Sequence, residues 1–228
     1  MNYVLATVKS WNIEAFETLR GRYPEHNFTL LTASEDLTQE RLDAIKPEYV
    51  FFPHWSWIIP KTVYENFDCV VFHMTDLPFG RGGSPLQNLL ERGVYRTKIS
   101  AIRAQEGLDT GDIYFKEPFD LSEGNADELF KRASRIIYEK MIPRFLGNRP
   151  AAFAQEGEIV TFRRRTPAQS EMPESLSPRR RYDFIRMLDG EGYPPAFIRY
   201  GNGRVTFKNA RIDGTKVLAD AVWEEDAL

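Results

Sequence analysis

The chain has 228 residues, of which 42% are hydrophobic and 28% are charged, a composition typical of a folded globular protein. The formal net charge of −3 provides no overall field that would recruit a nucleic acid, and the single cysteine, Cys69, excludes an internal disulfide framework and a cysteine-rich metal site. The N-terminal residues lack the pattern of a signal peptide, and no apolar run approaches the ~20 residues of a membrane span. We therefore expect a cytoplasmic protein without a membrane span.

The first two-thirds of the chain alternate strand and helix signals. Short apolar runs predict strands, and amphipathic segments between them predict helices. This alternation predicts an α/β fold with a Rossmann-like, mostly parallel sheet covered on both faces. In chain order, the predicted elements are a strand at residues 3–8, a helix at 12–23, a strand at 27–32, a helix at 38–45, strands at 48–52, 68–73 and 98–103, and a helix at 127–145.

The composition changes after Pro150, which indicates a different organisation of the remaining chain. Residues 151–180 are polar and contain prolines and arginine triplets, so we predict a connector there. Residues 181–228 predict a small α+β extension, with a short helix and two strands joined by a hairpin turn at Tyr200–Gly203. The predicted division therefore places the α/β domain at residues 1–150.

Two loops carry residues that could perform chemistry. His73 closes an apolar strand and precedes a glycine-rich loop; such strand ends collect ligands in parallel sheets, although a lone histidine at this place is usually structural. Asp109 and Asp112 lie in a second loop bounded by glycines, where carboxylates are often merely solvated. The three histidines show no paired-ligand spacing, so we predict no metal site.

These two loops resemble the paired signatures of folate-dependent formyltransferases. Residues 73–78 read HMTDLP and are followed by Arg81-Gly82, and residues 107–112 read GLDTGD. The sequence of the first loop is most similar to sugar-nucleotide N-formyltransferases and to the formylation domain of linear gramicidin synthetase. The C-terminal stretch YDFIRMLDGEGYPPAFI also resembles sugar-nucleotide N-formyltransferases. The resemblance covers about residues 2–145 and implies a formyltransferase catalytic domain at the N-terminal side.

The resemblance also implies a reaction. A formyl group would pass from N10-formyltetrahydrofolate to the amine of a UDP-, dTDP- or GDP-linked amino sugar, in the synthesis of an O-antigen or another surface glycan. His73 would act as general base and acid, and Asp109 would orient it. Family members usually have an asparagine two residues before the histidine, but Val71 stands there. Losing such a donor can cost on the order of 10²–10³ in rate, and Thr75 is a nearby hydroxyl that could replace it.

Two further groups of residues are expected, by the same resemblance, to bind ligands. The pterin of the formyl donor would lie between the segment after the third strand and the loop that carries Asp109. The expected cofactor-binding residues are Trp55, Trp57, Ile58, Ile59, Gln105, Glu106, Gly107 and Leu108. The expected substrate-binding residues are Lys9, Ser10, Arg81, Gly82 and Gly83.

Two alternatives stay open at this point. Methionyl-tRNA formyltransferase is the rival enzyme, but it normally has a longer C-terminal β-barrel for tRNA, and the acidic balance argues against a nucleic-acid partner. The alternative from another class is a non-catalytic folate or nucleotide-sugar binding module that descends from a formyltransferase, and Val71 is its support. Two copies of the chain could also form a homodimer.

Overall fold

The structure, a computed structural model, describes residues 1–225 and divides them into two compact units. Each unit combines segments that are distant in sequence. The first unit contains residues 1–81, 98–119 and 131–161, and the second contains residues 82–97, 120–130 and 162–225. The predicted division at residues 150 and 180 stays a prediction.

Eleven strands and six α-helices make up the described residues. The strands are β1 (Asn2–Ala6), β2 (Asn27–Leu31), β3 (Tyr49–Phe52), β4 (Cys69–His73), β5 (Phe79–Gly82), β6 (Arg96–Arg103), β7 (Ile113–Asp120), β8 (Val160–Phe162), β9 (Ala196–Tyr200), β10 (Gly203–Asp213) and β11 (Lys216–Glu225). The helices are α1 (Ser10–Arg22), α2 (Gln39–Ile45), α3 (Lys61–Tyr64), α4 (Pro85–Glu91), α5 (Ala126–Ile136) and α6 (Pro178–Arg186). Short 3-10 turns lie at Ser34–Asp36, Ile142–Arg144 and Pro167–Ser170, and a π-helical turn lies at Ile137–Met141.

A six-stranded sheet in the order β2-β1-β3-β4-β6-β7 is the centre of the first unit. β1 pairs in parallel with β2 and β3, and β3 pairs in parallel with β4, whereas β6 runs antiparallel to β4. The predicted α/β class with a mostly parallel sheet is therefore confirmed. Because β1, β3 and β4 share one direction, their carboxyl ends, including His73 at the end of β4, lie at one edge of the sheet.

The strands predicted from apolar runs are buried in the sheet. All four residues of β3 are buried, and β4 is buried except for a partly exposed Val71. Continuous apolar runs of this kind suit a sheet that is covered on both faces. Cys69 is a buried free thiol in this core, and burial raises the pKa of its thiol, which makes it unreactive.

The second unit contains α6 and a three-stranded antiparallel sheet in the order β11-β10-β9. The side chain of Ser177 accepts a hydrogen bond from the Arg180 N–H and caps α6, which begins with Pro178. The predicted turn at Tyr200–Gly203 joins β9 to β10, but the sequence predicted two strands here and the structure has three. The predicted small α+β extension is confirmed. Within residues 1–225, every helix is too short or too polar to cross a membrane.

Candidate active site

His73 lies at the carboxyl end of β4 and is 7% exposed as a whole residue. Its Nε2 atom is 2.7 Å from the carbonyl oxygen of Gly80, in the glycine-rich loop that follows the strand. A carbonyl oxygen only accepts hydrogen bonds, so Nε2 carries the proton in the neutral ring. Nδ1 is therefore the nitrogen that can accept a proton.

Asp109 lies in the second loop with the left-handed backbone conformation φ +55°. Such a conformation is sparsely populated for residues other than glycine, asparagine and aspartate, and it persists where neighbouring contacts hold it. Thr110 supplies one such contact, because its Oγ1 donates to the carbonyl of Glu106 at 2.8 Å. Gly111 supplies another constraint, since a Cβ atom there would lie 1.7 Å from the carbonyl oxygen of Arg103.

The two side chains meet, as Nδ1 of His73 lies 3.4 Å from Oδ2 of Asp109. Both are largely buried, with side chains 8% and 10% exposed. In the neutral ring, Nδ1 and the carboxylate are both acceptors, which agrees with a separation longer than an ordinary hydrogen bond. A proton arriving at Nδ1 would convert the contact into a charge-assisted hydrogen bond, so the pair is arranged to accept a proton.

Thr75 is completely buried beside His73. Its hydroxyl donates to the Gly80 carbonyl at 3.3 Å, the same oxygen that accepts from His73. Its own carbonyl accepts from Ser100 Oγ at 2.7 Å. Thr75 and His73 therefore share a hydrogen-bond acceptor, the Gly80 carbonyl. The role of Thr75 as a replacement for the missing asparagine stays a prediction.

Val71 lies two residues before His73 and packs against the core cluster that contains Phe52 and Cys69. We expect Val71→Asn not to raise the rate, because the amide would replace apolar packing and cost about 1–3 kcal/mol in stability if it finds no partner. Turnover and thermal midpoint of the variant beside the parent check this. A tenfold or greater rise in rate, a barrier change of about 1.4 kcal/mol, would contradict it and show that the site lacks a donor.

The expected cofactor residues lie in two segments of the first unit. Trp55 and Ile59 pack against the core, as does Ala104, the residue before the second loop. Trp57 and Ile58 are 46% and 90% exposed. In the loop, Leu108 is 67% exposed, Gln105 bonds to the carbonyl of Thr110 at 3.3 Å, and Glu106 and Gly107 offer carbonyls to the Thr110 hydroxyl. Binding of a cofactor by these residues stays a prediction.

The expected substrate residues lie at two places in the chain, around the start of α1 and around the end of β5. Lys9 precedes α1, which begins at Ser10, and its Nζ lies 5.4 Å from the centre of the Trp11 ring. Arg81 belongs to the first unit, whereas Gly82 and Gly83 belong to the second. Whether any of these residues contacts a substrate stays a prediction.

One residue that contacts the site was not found from the sequence. Gln155, in the predicted connector, donates to the carbonyls of Asp109 and Gly111, and no local pattern indicated this contact. His54 follows β3 with φ +56°, and burial, with a smaller effect of Lys9, lowers its pKa to about 4. The His54 ring is therefore neutral at pH 7. Among residues 1–225, no group of His, Cys, Asp and Glu side chains is arranged to hold a metal ion.

Two family models match the chain. The model described as "Formyl transferase" matches residues 14–146, and the model described as "Methionyl-tRNA formyltransferase, C-terminal domain" matches residues 167–223. The first match includes both loops with His73 and Asp109. The second covers α6 and nearly all of the three-stranded sheet.

Several similar proteins are named methionyl-tRNA formyltransferase. Methionyl-tRNA formyltransferases from Rickettsia felis and a Nitratiruptor species are 32% and 26% identical over 52% and 84% of this chain. These matches cover 41% and 54% of the relatives, so the chain spans about half the length of the curated relatives it matches. A solved structure named methionyl-tRNA formyltransferase from Clostridium thermocellum is 54% identical, with TM-score 0.96, over 99% of this chain and 100% of that one.

More distant solved structures share the fold alone. HypX from Aquifex aeolicus, in complex with tetrahydrofolic acid, has TM-score 0.72 and 18% identity over 96% of this chain and 43% of that chain. A 4-N formyltransferase from Francisella tularensis has TM-score 0.68 and 14% identity over 99% of this chain and 98% of that chain.

The prediction of a sugar-nucleotide N-formyltransferase for surface glycan synthesis is wrong, and so are its nucleotide-linked amino sugar and the expected absence of a nucleic-acid partner. The matched C-terminal model and the relatives with 54% and 32% identity are named for methionyl-tRNA. The error came mainly from two sequence similarities, in the first loop and the C-terminal stretch, and from the expectation that a tRNA enzyme has a longer C-terminal β-barrel. The overall charge was a poor guide as well. Residues 163–225 carry 12 Lys and Arg against 9 Asp and Glu, although the whole chain is at −3.

The resemblance to formyltransferases read from the two loops is confirmed. The matched "Formyl transferase" model covers more than half of the chain and contains both loops, and the similar structure from Clostridium thermocellum extends the likeness to the full length. The chain belongs to the formyl transferase family.

Proposed function

We propose that the chain is a folate-dependent N-formyltransferase that acts on the amino group of methionyl-tRNA. The observation that carries the proposal is the contact between Nδ1 of His73 and the Asp109 carboxylate at the end of β4. In the balanced reaction, the amine nitrogen bonds to the formyl carbon and the bond from that carbon to N10 of the donor breaks. One proton leaves the amine and one is gained by the released folate nitrogen.

His73 handles that proton in the proposed reaction. Its Nε2–H is committed to the Gly80 carbonyl, so Nδ1 is the basic atom. A proton taken from the amine makes the ring a cation, and the adjacent Asp109 carboxylate stabilises this cation. The nitrogen then returns the proton as the reaction ends, which is the task of a general base that becomes a general acid.

The formyl donor is N10-formyltetrahydrofolate, which supplies the formyl group when bound. The residues present fit a pterin and its apolar surroundings, because Trp57, Ile58 and Leu108 expose large apolar side chains in two segments of the first unit. The carbonyls of the second loop could accept hydrogen bonds from a pterin. Family membership and a protein of the same fold that binds tetrahydrofolic acid support this choice of donor.

The acceptor rests on the likeness of the whole chain. The structure with 54% identity and equal length is named for methionyl-tRNA, and the model that matches residues 167–223 is named for the same enzymes. The second unit would then contact the tRNA. We place the protein in the cytoplasm, where aminoacylated tRNA is used for translation.

The test is formyl transfer from 10-formyltetrahydrofolate to methionyl-tRNA, with free methionine as the matched acceptor without tRNA. We expect rapid formylation of methionyl-tRNA and at least a hundredfold lower kcat/KM for free methionine. Equal rates with both would contradict a tRNA acceptor. No transfer to methionyl-tRNA, together with unimpaired folate binding, would favour a non-catalytic folate-binding module.

Tetrahydrofolate should change the fluorescence of the protein, because Trp55 and Trp57 lie in the proposed donor segment. The chain has four tryptophans, so Trp57→Phe should reduce the change, while Trp223→Phe, in the second unit, should leave it intact. Titration followed by fluorescence and calorimetry checks this. If tetrahydrofolate leaves the spectrum, the thermal midpoint and the heat signal of the parent unchanged, the proposed folate site is wrong.

A further inference from the structure

Gln155 lies in a segment that sequence reasoning treated as a connector. Its neighbourhood belongs to the first unit, where Phe153 and Ile113 exchange backbone hydrogen bonds of 3.0 and 2.8 Å. The pairing holds Gln155 beside the loop of Asp109. The placement is produced by residues that are 40 positions apart in the chain, so it is a tertiary contact.

The Gln155 side chain makes four hydrogen bonds. Its Nε2 donates to the carbonyls of Asp109 and Gly111, both at 2.8 Å. Its Oε1 accepts from Nε and Nη2 of Arg81 at 3.0 and 2.8 Å. Two carbonyls require donors and a guanidinium requires an acceptor, so these partners determine which end of the amide faces which way.

These contacts join the two halves of the proton-accepting pair. Arg81 follows directly after Gly80, whose carbonyl holds Nε2 of His73. On the other side, Gln155 holds the backbone of Asp109 itself. The Gln155 side chain therefore bonds both the guanidinium of Arg81, the residue after Gly80, and the backbone that presents the carboxylate.

The Asp109 loop needs such a contact. Residues 105–108 are exposed, and Asp109 itself has the left-handed conformation φ +55°. Aspartate adopts this conformation more readily than most residues, and in an exposed loop neighbouring contacts have to hold it against other backbone conformations. Two hydrogen bonds from Gln155 to carbonyls on both sides of Thr110 supply that constraint.

We infer that Gln155 is a positioning residue that sets the separation between His73 Nδ1 and Asp109 Oδ2. The inference deepens the proposed function and rests on it for its kinetic consequences. Gln155 does not touch the reacting atoms; it acts through Asp109. Misplacement of a reacting group by about 1 Å can cost on the order of 10² in rate. Loss of the Gln155 contacts is therefore expected to lower the rate measurably.

The first test is the near-isosteric Gln155→Glu variant, which keeps an acceptor for Arg81 but sets a carboxylate against two carbonyls. We expect kcat to fall about 10²-fold with an unchanged KM for the formyl donor. The matched control is Gln39→Glu, an exposed glutamine at the start of α2, which should retain parental kinetics. Gln155→Ala, which introduces no charge, should show the same division between kcat and KM.

A double-mutant cycle separates positioning from general structural damage. If Gln155 acts through Asp109, Gln155→Ala should cost much less in the Asp109→Asn background than in the parent. Equal losses in the two backgrounds would overturn the inference. A loss of thermal stability without a change in kcat would overturn it too.

Crystal structures of the parent and of Gln155→Glu give a readout that does not depend on the acceptor. We expect the distance from His73 Nδ1 to Asp109 Oδ2 to increase by more than about 0.5 Å, the tolerance of catalytic geometry. An unchanged distance would overturn the inference even if methionyl-tRNA is the acceptor. If the parent does not formylate methionyl-tRNA, the proposed function fails, and the distance still decides the role of Gln155.

Discussion

Replacing His73 with alanine is expected to lower kcat for formyl transfer about 10²–10⁴-fold, the range that a general base contributes. The variant removes Nδ1, the atom that faces Asp109 at 3.4 Å. KM for the formyl donor should change little, because the ring's role is in proton transfer. The measurement is steady-state kinetics on protein whose circular dichroism matches the parent.

Asp109→Asn should produce a loss of similar kind, since an amide cannot stabilise a cationic imidazole as a carboxylate does. Asparagine is preferred to alanine because it tolerates the φ of +55° at this position. His26→Ala is the control, as His26 lies beside Tyr23 and Phe28, outside the proposed site. A near-parental kcat in folded His73→Ala or Asp109→Asn protein would contradict the proposed role of that residue in formyl transfer.

Arg186→Ala is expected to destabilise the second unit by about 3–5 kcal/mol, the cost of breaking a buried ion pair. Arg186 is 1% exposed and donates to Asp183 Oδ1 at 2.8 Å. It also donates to the carbonyls of Leu121 and Gly124, both at 2.7 Å. Removing it leaves the buried carboxylate of Asp183, the buried carbonyl of Leu121 and the partly buried carbonyl of Gly124 without these donors.

Asp183→Ala should cost as much, because it leaves the Arg186 guanidinium buried without its anion. The matched control is Arg204→Ala, which breaks an exposed pair with Glu224 of similar length, 2.7 Å. That change should cost at most about 1 kcal/mol. Urea unfolding compares the three variants. A loss below about 1 kcal/mol for Arg186→Ala would contradict the expected role of the buried pair.

The arginine triplets illustrate how tertiary contacts change the interpretation of a charge run. Arg179 donates to Tyr95 Oη and Asp183 Oδ2, each at 3.2 Å, and Arg180 donates to the carbonyl of Leu90. Runs of charge in a sequence usually indicate a solvated face. These arginines instead bond within the second unit, and Arg163 and Arg164 are exposed.

The amino-acid sequence alone was sufficient to predict the parallel sheet and the family. The burial of apolar runs such as Tyr49–Phe52 could be predicted from their composition, because a strand covered on both faces must be apolar throughout. The motif residues His73 and Asp109 could be found because each lies in a short local pattern with glycines. The sequence was insufficient for β7, which follows the second loop with an irregular burial pattern, and for β11, which is largely exposed.

Only the tertiary structure shows which atoms of His73 and Asp109 meet. The Gly80 carbonyl assigns the basic role to Nδ1, and Gln155 ties Asp109 to Arg81. The hydrogen-bond partners of Gln155 lie 46 and 74 residues away in the chain. Contacts over such distances leave no periodic pattern in the sequence, so they could not be predicted from it. Local composition is dictated by burial and backbone preference, so it could be read directly from the sequence. The contacts that orient His73 and Asp109 exist only once the sheet and its loops have folded together.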